Sequence, residues 1–232
     1  MYKKIGGFVK KLSIKIAAMC FMAIVACPCV MADEKFDLDM VKIPGKNFEM
    51  LRTEVTQELY EAVMGVNPSI LKGDVFPVEC VSWYDAIEFC NELSKKLGYE
   101  LVYTKSGNSV AQNVNANGFR LPTVEEWQFA ARGGQNFRYS GSDNLDSVGW
   151  YLSNSKSKTH PVAQKKNNGY KLYDMSGNAC EWCWDSDGDE YRSFCGGCWE
   201  YDAESCKVDE KNRWYASIGI SIIGFRIVRT TK

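Results

Sequence analysis

Apolar positions recur at helical spacing three times between residues 56 and 134, and afterwards that rhythm stops. Thr56 precedes the first run, which has Gln57 and Glu58 in its opening turn and ends at Met64-Gly65. Ser82-Trp83-Tyr84-Asp85 has the form of a capping box, in which a hydroxyl and a carboxylate each satisfy a backbone N–H that the helix leaves unpaired. Behind it Trp83, Ala86, Ile87, Cys90, Leu93 and Leu97 share one face until Gly98 stops the run. Cys90, on that apolar face, is read as an inert buried thiol. Thr123-Val124-Glu125-Glu126 is a second box, opening a helix through Trp127, Phe129 and Ala130 to Gly133-Gly134, and Pro122 disfavours an earlier start.

After Gly134 nearly a hundred residues hold only short apolar pieces separated by Gly, Asn, Asp and Ser. Phe225-Arg226-Ile227-Val228 alternates and predicts a closing strand. Helices first and a loop-rich, β-leaning second half make the fold class α+β. There is no internal repeat, and 232 residues suffice for one sizeable core.

The first residues have another purpose. Lys3, Lys4, Lys10, Lys11 and Lys15 form a basic region ahead of the uncharged stretch Ile16 to Ala26. Those eleven residues are too few for a hydrocarbon core that needs about 20, so they predict a secretory signal and not a membrane span. Two cleavage signals compete: Ile24-Val25-Ala26-Cys27 has the lipobox pattern, and Val30-Met31-Ala32 before Asp33 has the small-x-small form. Pro28 is unusual for either route. The lipobox is the reading adopted, with a signal peptide over 1–26, lipidation at Cys27, a tether over 27–37 and a domain over 38–232. That predicts an exported lipoprotein of the outer membrane or cell surface. Removing the signal takes five lysines and no acid from 28 basic and 29 acidic residues, leaving 23 against 29. A mildly acidic surface without a basic patch excludes nucleic acid as a partner. Export also makes disulfides possible among ten cysteines.

A series of strings then becomes specific in combination: Thr53-Glu54-Val55-Thr56-Gln57, Asn67-Pro68-Ser69, Pro77-Val78-Glu79, Val81-Ser82-Trp83, Phe89-Cys90-Asn91, Arg120-Leu121-Pro122-Thr123, Ala130-Ala131-Arg132-Gly133-Gly134, Tyr173-Asp174-Met175-Ser176-Gly177-Asn178, Glu181-Trp182, Gly196-Gly197 and Gly224-Phe225-Arg226. In this order they resemble the formylglycine-generating-enzyme (sulfatase-modifying factor) family over almost the whole domain. The resemblance implies a C-type-lectin-like fold: a small twisted antiparallel sheet, two flanking helices and much irregular chain. The family's enzymes hold copper with two thiolates five residues apart, shortly after the Gly-Gly. Here Cys206 fills the later position, but Tyr201 stands at the earlier one, and a phenol does not replace a thiolate on soft Cu(I). Relatives that use histidine-bound iron need more than the single His160. The expectation is therefore a protein without copper that is not an enzyme. The alternative is an exported formylglycine-type oxidase or sulfatase-maturation factor.

The chain is most similar to a branch of variable lipoproteins, known from treponemes, whose C-terminal segment is rewritten by a diversity-generating retroelement. Over residues 195–222 the framework Gly196-Gly197, Trp199, Ala203, Cys206 and Val208 stands, with Gly224-Phe225-Arg226 behind it. Heterogeneous residues lie between. They nominate Cys195, Cys198, Glu200, Tyr201, Asp202, Glu204, Ser205, Trp214, Tyr215, Ile218, Ile220, Ser221 and Ile222 as ligand-binding. Tyr and Trp supply contact area at low rotamer entropy, and Ser, Gly and Asp supply adaptable hydrogen bonds. Trp199 and Ile223 are assigned to the core. Ile218, Ile220 and Ile222 are either exposed or one buried strand face. The implied partner is a protein or glycan on host or neighbouring cells.

Two further constellations involve metals. Cys180-x-x-Cys183 and Cys195-x-x-Cys198 have zinc-ligand spacing, but a disulfide among the four, or scattered variation, explains them as well. Asp174 to Glu181 matches the family's calcium loop. There the resemblance implies carboxylates from Asp174 and Glu181, and carbonyls from Met175, Gly177 and Ala179, around a structural Ca2+. A second such site would begin at Asn154, but an acidic partner is missing among Lys156, Lys158 and Thr159.

Overall fold

The computed structural model describes residues 36–231 except 108, 187 and 189. The signal, Cys27 and both cleavage motifs lie outside the described residues. β1 (Met40–Lys42) and β2 (Phe48–Leu51) form a hairpin with Met40 opposite Leu51. The charged tether ends sooner than its composition suggested, because Phe36 and Leu38 already pack against the core and Asp39 pairs with Arg52 at 2.9 Å.

The three helices form where their caps placed them. In α1 (Gln57–Met64) the Thr56 hydroxyl accepts from the Leu59 N–H, and Gly65 closes the helix at φ 75°. α2 (Trp83–Lys96) has both halves of the Ser82/Asp85 capping box and buries Trp83, Ala86, Phe89, Cys90 and Leu93. After β3 (Tyr103–Ser106), β4 (Ser109–Gln112) and β5 (Phe119–Arg120), α3 (Val124–Arg132) starts at the Thr123/Glu126 box. It ends at Gly133, φ 60°, where a Cβ would meet the Asn168 side chain at 2.7 Å.

Residues 134–179 contain one 3-10 turn, Leu145–Ser147, and no named strand. A buried amide organises part of this stretch. Asn168 Nδ2 donates to the carbonyls of Ala130 and Ala131 at the end of α3, and its Oδ1 accepts from the Tyr170 and Leu172 N–H groups. One side chain thereby pairs backbone groups that burial would otherwise leave unsatisfied.

β6 (Cys180–Ser186), β7 (Tyr191–Cys195), β8 (Lys211–Tyr215), β9 (Ile223–Phe225) and β10 (Val228–Thr230) complete the chain. The sheets run β1-β2-β10-β5, β3-β4 and β8-β7-β6-β9. The class is α+β as expected, although β6 and β9 pair in parallel while every other named pair is antiparallel. The single closing strand expected over Phe225–Val228 is instead broken in two. Ile223–Phe225 belongs to one sheet, and Val228–Thr230 inserts between β2 and β5 in another.

The break sits at Arg226, which is fully buried. Its Nε and Nη2 donate to the two oxygens of Glu181, also fully buried, at 2.9 and 2.7 Å. Its remaining donors reach the carbonyls of Leu51 and Tyr173 at 3.0 and 2.8 Å. The Trp127 indole donates to Glu181 Oε2 at 2.7 Å, so this one ion pair joins β6, α3, β2 and the crossing between the sheets. Removing one partner of such a pair leaves an uncompensated buried charge. Glu181→Gln and Arg226→Met should therefore each lower the unfolding free energy by about 3–5 kcal/mol, read from urea denaturation. Losses below about 1 kcal/mol, the level of exposed pairs, would remove the pair from this role.

Candidate functional site

β7 ends at Cys195, and the next two residues turn the chain through left-handed backbone: Gly196 at φ 93° and Gly197 at φ 66°. A Cβ on Gly197 would lie 2.6 Å from Cys206 Sγ, so the turn needs glycine for space as well as conformation. Two backbone bonds pin it to the loop before β6, from Gly177 N to Gly196 O at 2.7 Å and from Trp199 N to Asn178 O at 2.9 Å. The segment then runs through the 3-10 turn Glu204–Cys206, where Asp202 accepts from the Ser205 N–H, and into the edge strand β8. It returns over residues 216–222, tied to the start of α2 by Trp83 N to Ala216 O and Cys80 N to Ile220 O.

This path sorts the nominated residues. Glu200, Asp202, Glu204, Tyr215 and Ile218 are exposed, Ile218 at 45%. Tyr201, Ser205, Trp214, Ile220, Ser221 and Ile222 are half-buried. Cys195 and Cys198 are corrected: both are fully buried and cannot touch a ligand. Cys195 faces inward from β7 beside Trp127 and Cys183, and Cys198 follows the Gly-Gly turn into the main core. The isoleucines are not one strand face, because residues 216–222 form turns and β9 starts at Ile223. Ile220 and Ile222 lean on the core while Ile218 stands out. Ile223 is buried as assigned, but Trp199 is only half-buried, with its Nε1 donating to Ser221 O at 3.3 Å.

Beside Trp199 and Ser221 opens a cavity of about 210 Å3, walled by Ile70, Leu71, Glu79 and residues 157–159. These wall residues lie far from the segment in sequence, and although Glu79 ends one of the quoted motifs, nothing marked Ile70 or Leu71. Trp214, Tyr215 and Tyr191 form a contiguous aromatic patch, with Tyr191 and Tyr215 centroids 4.5 Å apart. Tyr191, too, lies outside the segment that sequence variation singled out.

The position that would hold a copper thiolate is Tyr201. Burial raises its phenol well above the usual tyrosine range, and burial pushes the neighbouring Cys206 thiol up to about 12. Both therefore stay protonated at neutral pH. His160 stacks on Trp150 with centroids 3.8 Å apart, and its Nε2 bonds to Ser155 O, which occupies it structurally. The two Cys-x-x-Cys pairs do not converge. Cys180 joins Cys198 in one core cluster and Cys183 joins Cys195 in another, as alternation along β6 requires. That division corrects the four-thiolate zinc reading. Among the described residues no group of three or more His, Cys, Asp or Glu is placed to hold a metal.

The loop from Asp174 to Glu181 is also corrected in part. Both Glu181 oxygens are held by Arg226 and Trp127, so this carboxylate is not free for calcium. Gly177, at φ 90°, packs against Trp150, while Met175 and Ala179 are buried. Asp174, at φ 58°, accepts from the Ala163 N–H through Oδ2, and its buried Oδ1 has no hydrogen-bond partner. Glu54, which sequence reasoning left unassigned inside its motif, is in the same condition: Oε1 accepts from Ala179 N–H at 3.4 Å and buried Oε2 has no partner. Burial, opposed by Arg226 and the Ala163 N–H, pushes Asp174 up to about 6. Burial and then the charge of Asp174 raise Glu54 well above the carboxylate range. Of these three buried carboxylates only Glu181 is paired with Arg226, and one oxygen each of Glu54 and Asp174 is unsatisfied.

Comparison with known proteins agrees with this architecture. The model of the sulfatase-modifying factor enzyme 1-like domain matches residues 28–231. Chaperone protein LppX of Paenibacillus barcinonensis is 37% identical over 225 residues, covering 79% of this chain and 80% of that protein. The formylglycine-generating enzyme of Thermomonospora curvata is 30% identical over 141 residues, covering 54% of this chain and 39% of the enzyme. Among solved structures, Treponema denticola variable protein 1 superposes with a TM-score of 0.75 at 34% identity, covering 82% of this chain and 91% of that one. The chain belongs to the family of the sulfatase-modifying factor enzyme 1-like domain.

Proposed function

We propose that this protein is a non-catalytic, surface-displayed receptor whose ligand contacts lie on the loop face after the Gly-Gly turn, and that a retroelement diversifies them. The observation that carries the reading is the sorting along one segment. Glu200, Asp202, Glu204, Tyr215 and Ile218 are exposed, while the framework residues Gly196, Gly197, Cys206 and Val208 are buried, Trp199 and Ala203 are half-buried, and Ile223 behind them is buried. Such a segment changes its surface without changing its core. The likeness to a protein titled a variable protein supports the same conclusion. On this reading Cys27 carries the lipid anchor to the outer membrane, and the ligand is a protein or glycan on host or neighbouring cells. The 30% identity to a formylglycine-generating enzyme favours the second reading, an exported oxidase, but this chain spans about two fifths of that enzyme and has Tyr201 where a copper thiolate is needed.

The genome tests the reading. DNA beside the gene should contain a near-copy of the codons for the last part of the chain, differing mainly at adenines, next to a reverse transcriptase gene. Stoichiometric Cu(I) binding with oxidation of a cysteine peptide would establish the oxidase instead.

A structural calcium ion belongs to this proposal, held by Asp174 with Glu54 beside it. An ion that binds only the folded state stabilises it by mass action, by about 2.7 kcal/mol at a hundred times its dissociation constant. Calcium should therefore raise the melting temperature of chelator-treated wild type and leave Asp174→Asn unmoved. An unchanged wild-type melt across millimolar calcium would show that the loop stands without the ion.

A further inference from the structure

We propose that Cys183 and Cys195 are the two halves of a disulfide that ties β6 to β7 at the foot of the variable segment. Their sulfurs lie 3.9 Å apart in the reduced structure, on neighbouring antiparallel strands. In the ladder Glu181 stands opposite Cys195, and the register shifts beyond Trp182. Cys183 is two residues from Glu181 and so shares its face of the sheet, diagonal to Cys195. Both side chains are buried in the cluster that holds Trp127 and Met175. A disulfide needs sulfurs about 2.05 Å apart on β-carbons about 3.5–4.5 Å apart. Side-chain rotation of two thiols already in contact across one strand pair supplies that approach.

The competing pair is Cys180 and Cys198, which share the main core cluster on the opposite side of β6. That pair differs in two respects. Cys198 lies beyond the Gly-Gly turn, outside the ladder, and Cys206 stands beside it as a third thiol. Cys195 is paired in the β6–β7 ladder, and Cys183 lies on β6 one residue past the paired Trp182 and Phe194.

The chemistry is thiol–disulfide exchange with an external disulfide, either a small-molecule disulfide or a disulfide oxidase of the cell envelope. One cysteine thiolate attacks the oxidant's S–S bond, forming a mixed disulfide and expelling one oxidant thiolate. The second cysteine thiolate attacks the mixed bond, closing the protein disulfide and expelling the other. The protein loses two protons and two electrons, and the oxidant gains both as a dithiol or two thiols. Burial, together with the neighbouring Cys195, raises the Cys183 thiol well above its ordinary range. In the closed fold both sulfurs are buried away from an external oxidant, so exchange belongs to the period before β7 docks. The consequence concerns function. Cys195 immediately precedes Gly196-Gly197, so the bond would anchor the first residue of the variable segment whatever side chains follow it.

The export reading supplies the oxidant in the cell, but the pair's chemistry is testable without it. The full chain is unfolded with reductant, refolded in a glutathione/glutathione-disulfide buffer and alkylated. It is then digested with trypsin without reduction and sequenced by tandem mass spectrometry. The expected species joins the peptide from Leu172 to Arg192 with that from Ser193 to Lys207 through Cys183 and Cys195. It is two hydrogen masses lighter than the free pair, with Cys180, Cys198 and Cys206 alkylated. Alkylation of both Cys183 and Cys195, or a bond between Cys180 and Cys198 in their place, overturns the proposal. If refolding yield is low, the same map is read on chain extracted without reductant from the envelope of an exporting bacterium. A second readout is the melting temperature. Reductant present during folding should lower it for wild type and not for the Cys183→Ser/Cys195→Ser variant, and equal response in both also overturns the proposal.

Discussion

A guanidinium with no access to water governs this fold. Arg226 interrupts what its flanking residues would make a continuous strand, because its donors are committed to Glu181 and to the carbonyls of Leu51 and Tyr173. Water cannot replace those acceptors, so Glu181 must stand where it does on β6, and Trp127 must bring α3 against it. The chain is thereby steered from one sheet into the other between Phe225 and Val228. Desolvating two charges is expensive, and a well-packed apolar substitute is often no less stable. Here the pair's effect is geometric, fixing the two sheets and α3 to one another at a single point.

The loop face depends on that point. The crossing residue follows Gly224-Phe225, the strand paired in parallel with β6, and β6 is paired in turn with β7, which ends at the Gly-Gly turn. Both ends of the segment from Gly196 to Ile222 are therefore held by the same small sheet, and the residues between them need only avoid the core. The same rigidity has an electrostatic cost. Glu54 and Asp174 are drawn into the neighbourhood of Arg226 but are not paired by it, and each has one buried oxygen without a donor.

Much of the scaffold was legible because it is written in local chemistry. Caps and glycines located all three helices, and their apolar faces named Trp83, Cys90, Leu93 and Trp127 as core. The strand break was not legible, since Phe225-Arg226-Ile227-Val228 alternates perfectly well and only a long-range partner, Glu181, explains why it stops. Asn168 escaped notice for the same reason: its bonds run to carbonyls almost forty residues earlier. In the candidate site, variation between framework residues found the exposed set, but it also swept in Cys195 and Cys198. Heterogeneity against a family pattern does not distinguish an outward position from an inward one. The cavity wall at Ile70 and Leu71 carried no signal in the sequence, and the motif at Glu79 did not place it there, because the wall meets Trp199 and Ser221 only in the folded chain.

The central claim is that residues 196–222 form a replaceable surface on an irreplaceable frame. Saturation mutagenesis of residues 195–226, scored for folded protein at the cell surface by protease resistance, reads this position by position. The account predicts broad tolerance at Glu200, Asp202, Glu204, Tyr215 and Ile218, and rejection of nearly every substitution at Gly197, Cys198, Ile223, Phe225 and Arg226. Uniform sensitivity across the segment, or tolerance at Arg226 with rejection at Glu200 and Tyr215, would contradict it.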